Sequence, residues 1–326
     1  MVSNRRRAVC LGIFACLAVL SFGVSLACGS VEISAGEIVS LLNGQGDALK
    51  SQILTNIRLP RTIVAALVGM NLALSGAILQ GIMKNPLADP HIIGISSGAG
   101  LAGIFLLLVM PDQLWLVTPT AFVGAMTAAG LIYILAWKNG IRPLRIILAG
   151  VAVSAFLGAG ISALLILYSD RVHNALMWMV GGLSARSWPQ VEQILPYAAL
   201  GFIGALLGAR HLNIMQLGDE TAQGLGVNVE LTRLILTAVA ALLAAAAVSV
   251  AGLLGFVGLI VPHTARLIIG SDYRFLLPSA ALLGAATLTL SDTFARTAFA
   301  PTELPVGIIM AALGAPFFLF LLRREL

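Results

Sequence analysis

Apolar windows of roughly twenty residues recur along the whole chain, broken by short polar stretches, and each is long enough to cross a bilayer as a helix. The pattern predicts ten membrane spans, at about 8–28, 62–83, 92–110, 115–137, 145–168, 190–209, 231–250, 253–269, 275–293 and 305–322. Residues 29–57 read as a polar connection with one short surface helix. A further helix too short to span is predicted at Asn174–Gly182, where Leu176, Met177 and Met179 are apolar. The longest polar interruption in the second half is Gln216–Gly226, with the adjacent acids Asp219 and Glu220 and three glycines. Its backbone groups would lack partners in hydrocarbon, so it must lie at a membrane surface.

Composition supports the pattern. The 326 residues are 59% hydrophobic and only 10% charged, whereas soluble domains are about a quarter charged. A soluble enzyme is excluded, and the expected architecture is an all-α integral membrane protein forming one domain over residues 1–326. The formal net charge of +5 does not point to nucleic acid here, because Lys and Arg accumulate in the cytoplasmic loops of membrane proteins. Placing Arg5, Arg6 and Arg7 inside the cell puts thirteen basic residues on the cytoplasmic side, including Lys84, Arg142, Arg233 and Arg266, against six outside. Both termini and Gln216–Gly226 then fall in the cytoplasm. Arg58, Arg61 and Arg296 are outer exceptions, either interfacial side chains that snorkel or a basic rim that docks an acidic partner.

Chemistry of the catalytic kind is sparse. Gly94-Ile-Ser-Ser-Gly98 matches a hydrolase nucleophile motif, but it opens a membrane span with no histidine placed to serve Ser96. Close packing of small residues is the simpler reading. The four histidines lack metal-ligand spacing, the three cysteines form no C-x-x-C pair, and no phosphate-cradling P-loop occurs. No metal site or cofactor is expected. Asp292 falls inside a predicted span, and it lies near an end. An ion-coupled secondary carrier, the alternative class, usually needs such groups near the midplane. The energy source is therefore expected to be a separate ATPase reached through a cytoplasmic docking loop.

Several segments carry a family resemblance: Arg58-Leu-Pro-Arg-Thr62, Gln80–Pro90 with Gly94–Gly98, Met177-Trp-Met-Val-Gly-Gly182, Leu217–Val227, Gly255–His263, Glu303–Gly307 and Leu313–Pro316. Over nearly its whole length the chain resembles the permease subunits of type II ABC importers for iron chelates, haem and cobalamin. Within that family it looks most like ferric-siderophore or ferric-citrate permeases. The resemblance implies ten helices and a two-fold pair of permease chains, either identical or paralogous, in the bacterial cytoplasmic membrane. It also implies two ATP-binding subunits inside, a substrate-binding protein outside, an iron-chelate cargo and no covalent chemistry in this chain.

Site residues follow from the same resemblance. Arg58, Arg61 and Arg296 match positions that pair with glutamates of the binding protein. The stretch at about 213–230 matches a coupling segment of two short helices, with Gly218, Asp219, Glu220, Ala222, Leu225 and Gly226 as its contacts and Arg233 holding it to the next span. Asn85 and Leu87 match one cytoplasmic constriction, and Pro143 and Leu144 occupy the other. The cobalamin-type relative has small hydroxyl residues at that second position, so a bulkier closure and a different cargo are implied.

Overall fold

The computed structural model describes residues 3–91, 94–138 and 143–325. Its helices run in the order α1 (Asn4–Ala27), α2 (Ala35–Leu42), α3 (Ala48–Gln52), α4 (Leu59–Met83), α5 (Ile95–Val109), α6 (Val117–Ala136) and α7 (Pro143–Leu167). They continue with α8 (Val172–Val180), α9 (Trp188–Met215), α10 (Asp219–Gly224), α11 (Val229–Ala251), α12 (Val257–Ile269), α13 (Tyr273–Thr297) and α14 (Val306–Glu325). Among the described residues, seven helical stretches are long and apolar enough to cross a membrane, and α5, α12 and α14 are shorter apolar helices. Together they occupy the ten predicted spans.

Helix α4 is the axis of the bundle. It is buried along almost its whole length and packs against α13, α11, α9 and α12. Its neighbours approach closely because small residues face each other: a Cβ on Gly69 would strike the Gly284 carbonyl of α13, and one on Gly76 would strike Gly258 of α12. Between membrane helices no hydrophobic force acts, so this close van der Waals contact is what binds them. The Gly94–Gly98 motif belongs to the same class, since Gly98 sits against Gly124 of α6 and Ser96 is buried at the start of α5. Peripheral α7, in contrast, leaves Leu148, Val151, Phe156, Ile166 and Leu167 exposed.

Three stretches differ from the sequence expectation. The connection after α1 holds the one short helix α2, but the helix of the second span begins at Ala48, where α3 runs on toward α4. It passes through a π-helical turn, Ile53–Arg58, directly before Pro60. Proline supplies no N–H and crowds the preceding carbonyls, and a π-turn widens the ladder there without breaking the helix. The cysteines read in sequence as ordinary buried residues, but Cys16 on the outlying α1 and Cys28 at its C-cap are exposed, and none of the three is paired. Finally, α12 starts at Val257, because Gly252–Phe256 is non-helical.

That last break meets two others. Gly182 N–H donates to Ala251 C=O at 2.8 Å, Leu253 N–H to Trp178 C=O at 3.3 Å, and Gly307 N–H to Gly181 C=O at 3.0 Å. The unwound ends of α8, α11 and α14 thus satisfy one another. Irregular backbone at membrane depth is tolerated only when buried in protein in this way.

Candidate functional site

The coupling candidates lie at one end of the bundle. Gly218 at φ +108° and Gly226 at φ +85° bracket α10, a left-handed region that only glycine enters freely, so the chain turns sharply on both sides of the helix. Ala222 is fully buried against the bundle, while Leu217 and Leu225 are each 61% exposed and point away from it. Glu220 is exposed as well. One short helix is present where two were implied; the following turn, Leu225–Asn228, leads straight into α11, capped by the Asn228 side chain.

Asp219 fastens α10 to two spans. Its carboxylate accepts from Arg233 Nη2 of α11 at 2.9 Å and from Lys84 Nζ, at the end of α4, at 3.0 Å. The Arg233 side chain is 2% exposed and also lies 3.8 Å from Glu230. Burial alone pushes the Asp219 carboxyl up, but the hydrogen bonds from Arg233 and Lys84 outweigh it and hold the group below its usual value. Gln216 adds a third tie, donating to the Gly81 carbonyl at 3.2 Å. Arg233 thus joins α10 to α11. Lys84 was missed as a partner, although charge counting had already put it on the same membrane side as Asp219.

The gate candidates lie near this end too. Lys84 closes α4 in a left-handed conformation, and Asn85 Oδ1 accepts from Leu87 N–H at 2.9 Å, which turns the chain sharply. Leu87 is half-buried, and Leu144, at the start of α7, is 66% exposed. The Pro143 side chain and Arg142 lie outside the described residues. Among those described, no hydrogen bond or ion pair joins the Asn85–Leu87 turn to Leu144. Behind the turn Asp89 is buried, and burial raises its carboxyl despite the His91 N–H it accepts at 2.7 Å.

The three expected rim arginines lie at the opposite end, roughly 37 Å along α4 at 1.5 Å per residue. Each is held by acceptors of this chain. Arg58 is 3% exposed and donates to the carbonyls of Leu26, Ala27 and Val31. Arg296 donates to the Ser25 carbonyl and hydroxyl. Helix α1 has no basic residue in its own last turn, so these two arginines serve the carbonyls and negative dipole of its C-terminus. Arg61 is 6% exposed and makes a two-point pair with Asp292 of α13, both bonds 2.9 Å. It also reaches Glu303 at 2.9 Å, which in turn accepts from the Ser184 hydroxyl at 3.0 Å. Asp292, near the end of α13, is thereby explained as the internal counter-ion of Arg61.

Sequence reasoning missed one member of this collar. Arg186, in the loop between α8 and α9, lies close enough to Arg61 to feel its charge. Four arginines and two carboxylates meet in this collar. Among the described residues no cluster of His, Cys, Asp and Glu fit to hold a metal ion occurs.

Among the described residues, seven helices of membrane-spanning length and three shorter apolar ones, with a surface helix pinned to the central one and a charged collar at the far end, fit a polytopic transport permease. The profile of the FecCD transport family matches residues 17–324, and the chain belongs to that family. It is 39% identical to the Fe(3+)-citrate import system permease protein YfmE of Bacillus subtilis over 323 residues, 99% of this chain and 97% of that one. It is 47% identical to the cobalamin import system permease protein BtuC of Halobacterium salinarum over 272 residues, 83% of this chain and 73% of that one. Its fold is similar to the solved structure of an inward-facing metal-chelate type ABC transporter, with TM-score 0.87, 29% identity and coverage of 96% of this chain and 98% of the other. The chain is the non-catalytic transmembrane component of an ABC importer of the iron-chelate, haem or cobalamin type.

Proposed function

We propose that the chain passes an iron(III) chelate of the siderophore type inward across the bacterial cytoplasmic membrane. Two ATP-binding subunits drive it from the α10 end, a second permease chain completes the pathway, and an extracytoplasmic binding protein delivers cargo at the arginine collar. The carrying observation is the pinned α10: the two exposed leucines that flank it, Leu217 and Leu225, are free to enter an apolar cleft on an ATPase, while Asp219 ties it to α4 and α11. A push on α10 is then delivered to the end of α4, where Asn85 and Leu87 turn. Their opening and closing against Leu144 and Pro143, their own or those of a second chain, is the proposed inner gate. Alternation of this gate follows from a rigid element with two packed positions.

The excess of basic residues at the α10 end supports a cytoplasmic location for it and for both termini. At the other end, the collar arginines would attract acidic groups on the lobes of a binding protein and raise its on-rate more than its affinity. Arg58, Arg61 and Arg296 contribute to that field while holding the helix ends together.

The near end-to-end match to a ferric-citrate permease favours iron chelates. The higher identity to a cobalamin permease, over a smaller share of the chain, favours the second reading, cobalamin. Uptake of labelled iron(III) chelates, haemin and cobalamin by cells whose only such importer contains this chain separates them. Iron uptake without cobalamin uptake is expected; the reverse overturns the iron reading.

A further inference from the structure

At the collar end, a cavity of about 430 Å³ opens among α5, α6, α8 and α9, beside the junction of the unwound helix ends. Its volume is within the range of small-molecule sites. Trp178 and the backbone of Gly182 belong both to its lining and to that junction, and Arg186, Asn174, Gln190 and Thr118 supply its polar wall. Gln190 spends its carbonyl oxygen on capping Ser187, which leaves its amide N–H groups for the cavity.

Arg186 is unlike the other arginines of the collar. Arg58, Arg61 and Arg296 each have protein acceptors, whereas Arg186 makes no ion pair and no side-chain hydrogen bond among the described residues, and its Nε is sealed from solvent. A guanidinium stays charged and carries five N–H donors in a flat fork that suits a carboxylate. Burial and the nearby Arg61 charge both push its pKa down, so an incoming anion would relieve the strain on the charged form.

We propose that this cavity is a carboxylate-binding subsite, which takes one arm of an anionic iron(III) chelate at the mouth of the pathway. Arg186 supplies the paired donors, Asn174, Gln190 and Thr118 add neutral ones, and Trp178 covers the apolar part of the ligand. A recessed cavity favours a small molecule over a side chain of a docking protein, which would meet the rim. The identity of the ligand rests on the importer reading; the cavity and its unpaired cation do not.

The test is a titration of citrate into purified full-length protein in lipid nanodiscs, followed by calorimetry and tryptophan fluorescence. Saturable binding is expected, at least about tenfold weaker in Arg186→Gln and intermediate in Arg186→Lys. Sorbitol, a neutral polyol of similar size, should not bind. Asn174→Leu, on the exposed wall, should weaken citrate a few-fold and serves if the Arg186 variants do not fold. The proposal is overturned if wild type shows no saturable citrate binding or if Arg186→Gln binds equally well. It is also overturned if Arg186→Gln keeps citrate binding and instead slows association of the binding protein. Failure of the importer reading looks different: cells take up no iron chelate, while the citrate titration still stands.

Discussion

Asp219→Asn should loosen α10 without unfolding the bundle. The substitution removes the charge that two cations share but keeps one oxygen acceptor. The Lys84 contact contributes little, because both side chains are more than a third exposed and solvent screens them. The Arg233 contact contributes more: that side chain is 2% exposed, and a hydrogen bond to an ionised group is typically worth about 1.5–3 kcal/mol. Glu230, 3.8 Å from Arg233, partly compensates. We expect α10 docking to weaken by about 1–2 kcal/mol, or roughly five- to thirtyfold in local opening at 1.4 kcal/mol per decade. Hydrogen exchange of the protein in nanodiscs reads this directly, because the amides of Ala222, Leu225 and Val227 are bonded within the segment. Those amides should exchange faster while the buried middle of α4 stays protected. Unchanged exchange at all three in a folded variant would refute the pinning argument, and faster exchange throughout α4 would show that Asp219 supports the whole bundle.

The same contact sets a pH dependence. Asp219 sits below its ordinary value of 3.8, so its contribution is complete above that value and is lost as pH falls through the lower folded one. Exchange at α10 should match between pH 8 and 6 once corrected for intrinsic rates, and rise only below about pH 4. Asp292→Asn leaves Arg61 buried with Glu303 alone; breaking a buried pair costs about 3–5 kcal/mol, and the remaining partner should reduce this to roughly 2–3, seen as a lower melting temperature in nanodiscs. Gly76→Ala forces a methyl against the Gly258 carbonyl and should destabilise by about 1–3 kcal/mol, whereas Gly23→Ala, which meets open space on α1, should leave melting unchanged. Arg296→Gln should slow binding-protein association at low salt and have little effect at high salt; equal rates at both would remove the collar from docking.

Ten spans were legible because hydrocarbon accepts few sequences, and twenty apolar residues in a row leave little choice. The start of the second span was not, since polar residues from Ser51 to Arg58 read as a loop until the π-turn and its packing carried the helix through them. Charge counting put Lys84, Arg233 and Asp219 on one side of the membrane but could not pair them. Arg61 and Asp292 are 231 positions apart, and only the packing of α4 on α13 joins them. A surface arginine and a buried one look alike in sequence, which is why the collar read as a free rim. The junction of unwound helices was hidden for a similar reason. In sequence Gly181, Gly182, Gly252 and Gly307 look like any small residues of a tightly packed bundle, yet they mark where backbone meets backbone.

The central claim is that energy enters through α10 and moves an iron chelate across the membrane. Proteoliposomes containing the permease pair, its ATPase and its binding protein test it, with labelled iron(III) chelate outside and ATP supplied to the α10 side. The account predicts accumulation that requires ATP hydrolysis and falls sharply when Leu217 and Leu225 are both changed to Asp. Accumulation driven by a proton or sodium gradient without ATP, and indifferent to those two leucines, would contradict it.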